Sequence, residues 1–203
     1  MTDTSCQEVL APNGYFDRQF QREAIKILPG EYYVTGRDMV LVTVLGSCVA
    51  ACLWDRVAGL GGMNHFMLPD DLREGGTPLS VAGRYGAYAM ELMINRLLKA
   101  GARRSHLEAK VFGGAEVLRG FTMARIGERN AEFILDYLQT EDIPVKAQDL
   151  MDIYPRKVYF FPNTGKILVK RLRSVHNDTI VTREQRYGER IRGTDISGGV
   201  ELF

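Results

Sequence analysis

The sequence predicts an α+β fold, a layered α/β sandwich in which two main helices pack against a β-sheet. Three observations carry that reading. Apolar, β-branched runs of strand length recur through the middle of the chain. Only two segments show the 3.6-residue period of an amphipathic helix, and glycine- and proline-rich turns punctuate the rest. Strands in runs with two interspersed helices imply helices laid on a sheet rather than a regular alternation of the two.

Taken in order, residues 1–29 mix polar residues with Pro12, Gly14 and Pro29 and show no sustained period, as expected of a loosely ordered leader. The compact domain is expected over 30–172. Residues 31–36 form a short strand, and 39–45 an unbroken apolar run that fits a strand buried on both faces. The runs 48–54 and 62–68, separated by Asp55, Arg56 and several glycines, read as paired strands. A surface loop rich in Pro, Asp and Gly follows at 69–78.

Met90, Met93, Ile94, Leu97 and Leu98 follow helical spacing, with Gly101 as a stop, and Ala131, Ile134, Leu135 and Leu138 repeat it. Further strands are expected at 107–112, 145–150 and 158–161, and a turn at 162–165 leads into one at 166–170. Residues 173–203 carry many charges of both signs and are expected to be a solvated tail.

Composition excludes several classes. A chain of 203 residues that is 45% hydrophobic and 25% charged buries a core without needing disulfides or metal. Cys6, Cys48 and Cys52 are too few, and odd in number, for a disulfide framework, which points to a reducing compartment and a cytoplasmic protein. The first residues lack the basic patch and apolar run of an export signal, and no stretch is apolar enough for membrane insertion. A net charge of +1 leaves no overall electrostatic footprint for nucleic acid.

Cys48 follows Gly46 and Ser47 directly after a buried strand, so it sits where the chain turns and backbone amides at Gly46 and Ser47 can support an oxyanion. His65 lies in the next strand, where an imidazole can activate the thiol and return its proton to a leaving group. A bland reading stands beside this one: free cysteines are among the most buried residues, and a single histidine is usually structural. Cys52, inside the apolar run, reads as core. A metal site from Cys48, Cys52 and His65 lacks the tight knuckle of structural zinc, and the glycine pairs match no phosphate-binding loop.

The strings LGSCVAACLWD (45–55) and GMNHFMLP (62–69), with KVFGGA (110–115), IGERN (126–130) and YFFPNTGK (159–166), resemble the chemoreceptor glutamine deamidase family, CheD. The resemblance runs from about residue 30 to 172 and leaves both termini outside it. It implies that Cys48 is the nucleophile, that His65 is the general base and acid, and that a threonine on the preceding strand, here Thr43, is the third catalytic residue.

It further implies hydrolysis of glutamine side chains on methyl-accepting chemotaxis receptors to glutamate, with release of ammonia and no cofactor or metal. A glutamate methyl ester would give the same thioester, so methylesterase side activity is implied as well. A CheC-type phosphatase is a second implied partner. Two rival expectations stand beside it: an adaptor that binds receptors or such a phosphatase, with catalysis secondary, and a different Cys-His hydrolase such as a peptidase or small-amide hydrolase.

Overall fold

In the computed structural model, residues 11–68, 81–116, 126–172 and 178–193 are described. The loop expected at 69–78 lies outside them. Ten strands and three α-helices follow one another along these residues. β1 (Asn13–Asp17) and β2 (Arg22–Lys26) form a hairpin; β3 (Tyr32–Thr35), β4 (Val40–Leu45), β5 (Val49–Asp55) and β6 (Leu60–Asn64) come next. The first helix, α1 (Val81–Lys99), precedes β7 (Leu107–Gly113), and α2 (Ile126–Thr140) precedes β8 (Val145–Leu150), β9 (Arg156–Phe161) and β10 (Lys166–Arg171). The last element is α3 (Asp178–Gly193).

The strands divide into two five-stranded sheets, ordered β3-β6-β5-β7-β8 and β1-β2-β4-β9-β10. The layered α+β expectation holds, with two sheets in place of one. Alternation along β5 explains the layering, because successive side chains of a strand point to opposite faces. Val49, Ala51 and Leu53 pack with Met90, Met93, Ile94 and Leu97 of α1 and with Ile134 and Leu138 of α2. Cys48, just ahead of the strand, and Ala50 and Cys52 within it face the other way, onto Leu41 and Leu45 of β4 and Val158 and Phe160 of β9. The order of layers is therefore helices, first sheet, second sheet.

Two segments differ from expectation. The leader was expected over residues 1–29, but 13–26 form the β1–β2 hairpin, and β2 runs parallel to β4 with Ala24 opposite Val40. Its anchor is hydrophobic: Ala24 and Ile27 are buried, and Phe20 meets Tyr159 and Phe161 edge-on at centroid distances of 5.1 and 5.3 Å. The tail expected from 173 contains α3, whose Ile180, Glu184, Tyr187 and Ile191 are buried along one helical face.

Candidate active site

The turn from β4 into β5 is held by its carbonyls. Gly46 O accepts from the Ala115 amide, Ser47 O from the Asn130 side-chain amide, and Cys48 O from the Gly114 amide, each at 2.8 Å. Such an approach demands glycine at 113, where φ is +114° and an added Cβ would stand 2.1 Å from Cys48 O. With three consecutive carbonyls pinned on one side, the three amides of 46–48 face the other way and converge on one point, a backbone nest for an anion.

That point is occupied by the carboxylate of Glu184 from α3. Its Oε1 accepts from the Gly46 amide at 2.9 Å and the Cys48 amide at 3.3 Å; its Oε2 accepts from the Ser47 amide at 3.0 Å and the Ser47 hydroxyl at 2.7 Å.

His65 is oriented from behind. Thr43 Oγ1 lies 2.8 Å from the Ile27 carbonyl and 2.8 Å from His65 Nδ1. A hydroxyl has one proton to give, and the carbonyl can only accept it, so Thr43 accepts from His65 Nδ1–H. The network thus assigns the Nδ1–H tautomer. Nε2 is then left as the imidazole's basic lone pair, and it has no hydrogen-bond partner among the described residues. The His65 backbone is also fixed, by Gly30 N to His65 O at 2.7 Å and His65 N to Glu31 O at 3.0 Å. Thr43 faces the space between the sheets with Leu41 and Leu45, whereas Val42 points to the opposite face with Tyr159 and Phe161.

The pairing of β5 with β6 sets Cys52 opposite Met63, and the bridge of Val49 with Phe66 continues the same register beyond β6. In that register Ala50 stands opposite His65 and Cys48 opposite Met67. Cys48 and His65 are therefore diagonal neighbours on one face, a separation that long side chains span. They are 0% and 1% exposed. Burial, and next the Glu184 carboxylate beside it, hold the Cys48 thiol well above its ordinary pKa. Burial, reinforced by the Arg183 guanidinium, pushes His65 down to about 3. In this state the pair is a neutral thiol and a neutral imidazole, not the ion pair expected from an imidazole partner alone.

The structure thus brings Cys48, His65, Thr43, Gly46 and Ser47 to one locality and leaves Cys52 in the core, at 1% exposure. Sequence reasoning missed three contributors. Asn130, fully buried, ties the Cys48 turn to the segment after His65 through Ser47 O and the Leu68 amide, at 2.8 Å each. The Ile27 carbonyl comes from the presumed leader, and Glu184 from the presumed tail. Glu184 did leave a trace: a lone acid set helically between Ile180, Tyr187 and Ile191. No helix among the described residues is long and apolar enough to cross a membrane.

Comparison with known proteins bears on this arrangement. The profile of the family described as CheD chemotactic sensory transduction matches residues 67–171, just over half of the chain, and begins two residues past His65. A protein of Thiobacillus denitrificans, named a probable chemoreceptor glutamine deamidase CheD, is 60% identical over 201 residues, 99% of this chain and 100% of that one. A protein of Herminiimonas arsenicoxydans with the same name is 59% identical over 197 residues, 97% of each chain. A solved structure, the Bacillus licheniformis hypothetical protein YfiH, is similar at a TM-score of 0.39 and 12% identity, over 71% of this chain and 64% of that one, too loose a likeness to carry an argument. On the profile match and on relatives this similar over nearly the whole chain, the protein belongs to the CheD family.

Proposed function

We propose that this chain is a protein-glutamine deamidase that converts selected glutamines of chemotaxis receptors to glutamate. The names of the relatives support the substrate class. The observation that carries the chemistry is local: a histidine whose Nδ1 is satisfied by Thr43, and whose Nε2 carries the open lone pair, shares a face with a cysteine at the mouth of an amide nest.

With the glutamine amide in the nest, His65 Nε2 takes the Cys48 proton and the sulfur attacks the amide carbon. The amides of 46–48 hold the oxyanion. Ammonia leaves with the proton from His65, and a water, deprotonated by the same nitrogen, hydrolyses the thioester to glutamate. A glutamate methyl ester enters the same path with methanol as leaving group. Thr43 keeps the ring in one orientation throughout and accepts the hydrogen bond of the imidazolium. A free thiol is kept reduced most readily in a reducing compartment, and we place the reaction in the cytoplasm. Incubating the protein with a receptor cytoplasmic fragment and mapping glutamine-to-glutamate conversion by mass spectrometry tests the reading. Ammonia release matched to specific conversions is expected; an unmodified receptor would overturn it.

A further inference from the structure

The reaction proposed above leaves a glutamate carboxylate, attached to a helix, in the nest formed by residues 46–48. The folded chain already presents such a group there, and it is its own. Glu184 projects from α3 and takes all three amides and the Ser47 hydroxyl. An acid in the middle of a buried helical stripe would be costly without partners, and the nest supplies them.

The site is shaped to the helix that covers it. An added Cβ at Gly46 would lie 2.8 and 2.9 Å from the two Glu184 oxygens, and one at Gly30 would lie 2.7 Å from the Tyr187 hydroxyl. At both glycines an added Cβ would push the Glu184 or Tyr187 tip aside, and at Gly30 the backbone φ of +86° also favours glycine. Tyr187 also pairs with Tyr85 of α1, and Arg183 donates to Val44 O at 2.6 Å, so α3 bridges the end of β4, the 27–30 segment and α1. The helix rests on the active site itself: Ile191 and Tyr187 share the cluster that contains Cys48 and Met67. While it is in place Cys48 has no exposed surface.

We propose that α3 is an intramolecular stand-in for the reaction's product: Glu184 fills the place of the new glutamate, and the helix closes the site until a target helix replaces it. The inference rests on the deamidase reading for the identity of that product. Two consequences follow from geometry. Turnover of the intact chain is scaled down by the fraction of molecules with α3 displaced. The target that displaces it is a helix with glutamine where α3 has Glu184, and with apolar residues four before, three after and seven after on the same face, as Ile180, Tyr187 and Ile191 stand here.

The test uses the full chain and two variants, Glu184→Ala and Tyr187→Ala, treated briefly with iodoacetamide under native conditions, with Cys48 and Cys52 quantified by peptide mapping. Cys52, in the core beneath, reports unfolding, so the ratio of Cys48 to Cys52 labelling is read. Loss of one charge-assisted contact set should raise that ratio at least about tenfold, and the initial rate on a receptor fragment should rise with it. An unchanged ratio in both variants overturns the covering role. If the ratio is unchanged while the wild-type chain deamidates receptor, the deamidase reading stands and the strap falls. If the ratio rises while no protein modifies receptor, the strap stands and the deamidase reading falls.

Discussion

The rim and the middle of the face between the two sheets are built from the same strand, yet they differ in kind. In the middle, Cys52 sits opposite Met63 among Ala50, Leu41 and Phe160, and burial drives its thiol well above the ordinary range, with Lys110 opposing only in part. At the rim, Cys48 is as deeply buried, but every nearby backbone group is committed: carbonyls to Ala115, Asn130 and Gly114, amides to Glu184. Two cysteines four residues apart are thus equally buried, and burial does not distinguish their surroundings. What does is the run of aligned backbone amides that meet the Glu184 carboxylate beside Cys48, and the imidazole on the same face.

The sharpest way to break that contrast is to remove each sulfur. Cys48→Ala should lower deamidation by at least about a thousandfold while leaving the melting temperature close to native; Cys52→Ala should keep turnover and cost about 1 kcal/mol of stability. Thermal melts and ammonia release on the two proteins decide it, and the reverse pattern would exchange their roles.

Thr43→Val should come next, with kcat down by roughly ten- to a hundredfold, less than the loss of a bond-making group. A positioning role predicts more than a lower rate. The pH profile of kcat should shift on its histidine limb while KM stays near native, and Thr43→Ser should restore most of the rate. A uniform loss with an unmoved pH profile would make Thr43 merely structural.

Asn130→Ala strips partners from Ser47 O and the Leu68 amide in a fully buried place, and about 2 kcal/mol of stability should be lost together with part of the turnover. Chemical denaturation reads the first and ammonia release the second. Full stability with full activity would show that the rim is held some other way.

A further effect is on stability against pH. His65 has its folded pKa depressed from 6.5 to about 3, so between those values the unfolded chain binds a proton that the folded chain refuses. Stability is undiminished above pH 6.5 and falls as pH drops through the window, by about 1.4 kcal/mol per unit from this group. Denaturant midpoints from pH 7 to 4 should show a shallower fall in His65→Asn than in the native protein. Equal slopes would place the ring in contact with water.

Much of this was legible in the sequence because it is written locally. The run into Leu45 and the Gly46-Ser47-Cys48 turn declare a strand that ends at a cysteine-bearing turn, and the stripes around Met93 and Ile134 declare α1 and α2. What escaped is non-local. Ala24 of β2 and Ile27 just after it are buried residues of an otherwise polar stretch flanked by prolines, so the strand exists because β4 lies beside it. The charges of α3 hide a narrow apolar stripe, and the turn that its Glu184 meets lies 136 to 138 residues earlier in the chain. Glu184 meets Gly46 through a contact of separation 138, which no period within the helix encodes.

The central claim is that Cys48, and not the fold around it, turns receptor glutamine into glutamate. The most direct measurement incubates an intact receptor cytoplasmic fragment, and free glutamine in parallel, with the native chain and with Cys48→Ala, and reads ammonia together with the amide-to-acid mass change in receptor peptides. The account predicts conversion at a few defined receptor glutamines with the native chain, none with Cys48→Ala, and little release from free glutamine. Efficient hydrolysis of free glutamine with the receptor untouched, or native-rate conversion by Cys48→Ala, would contradict it.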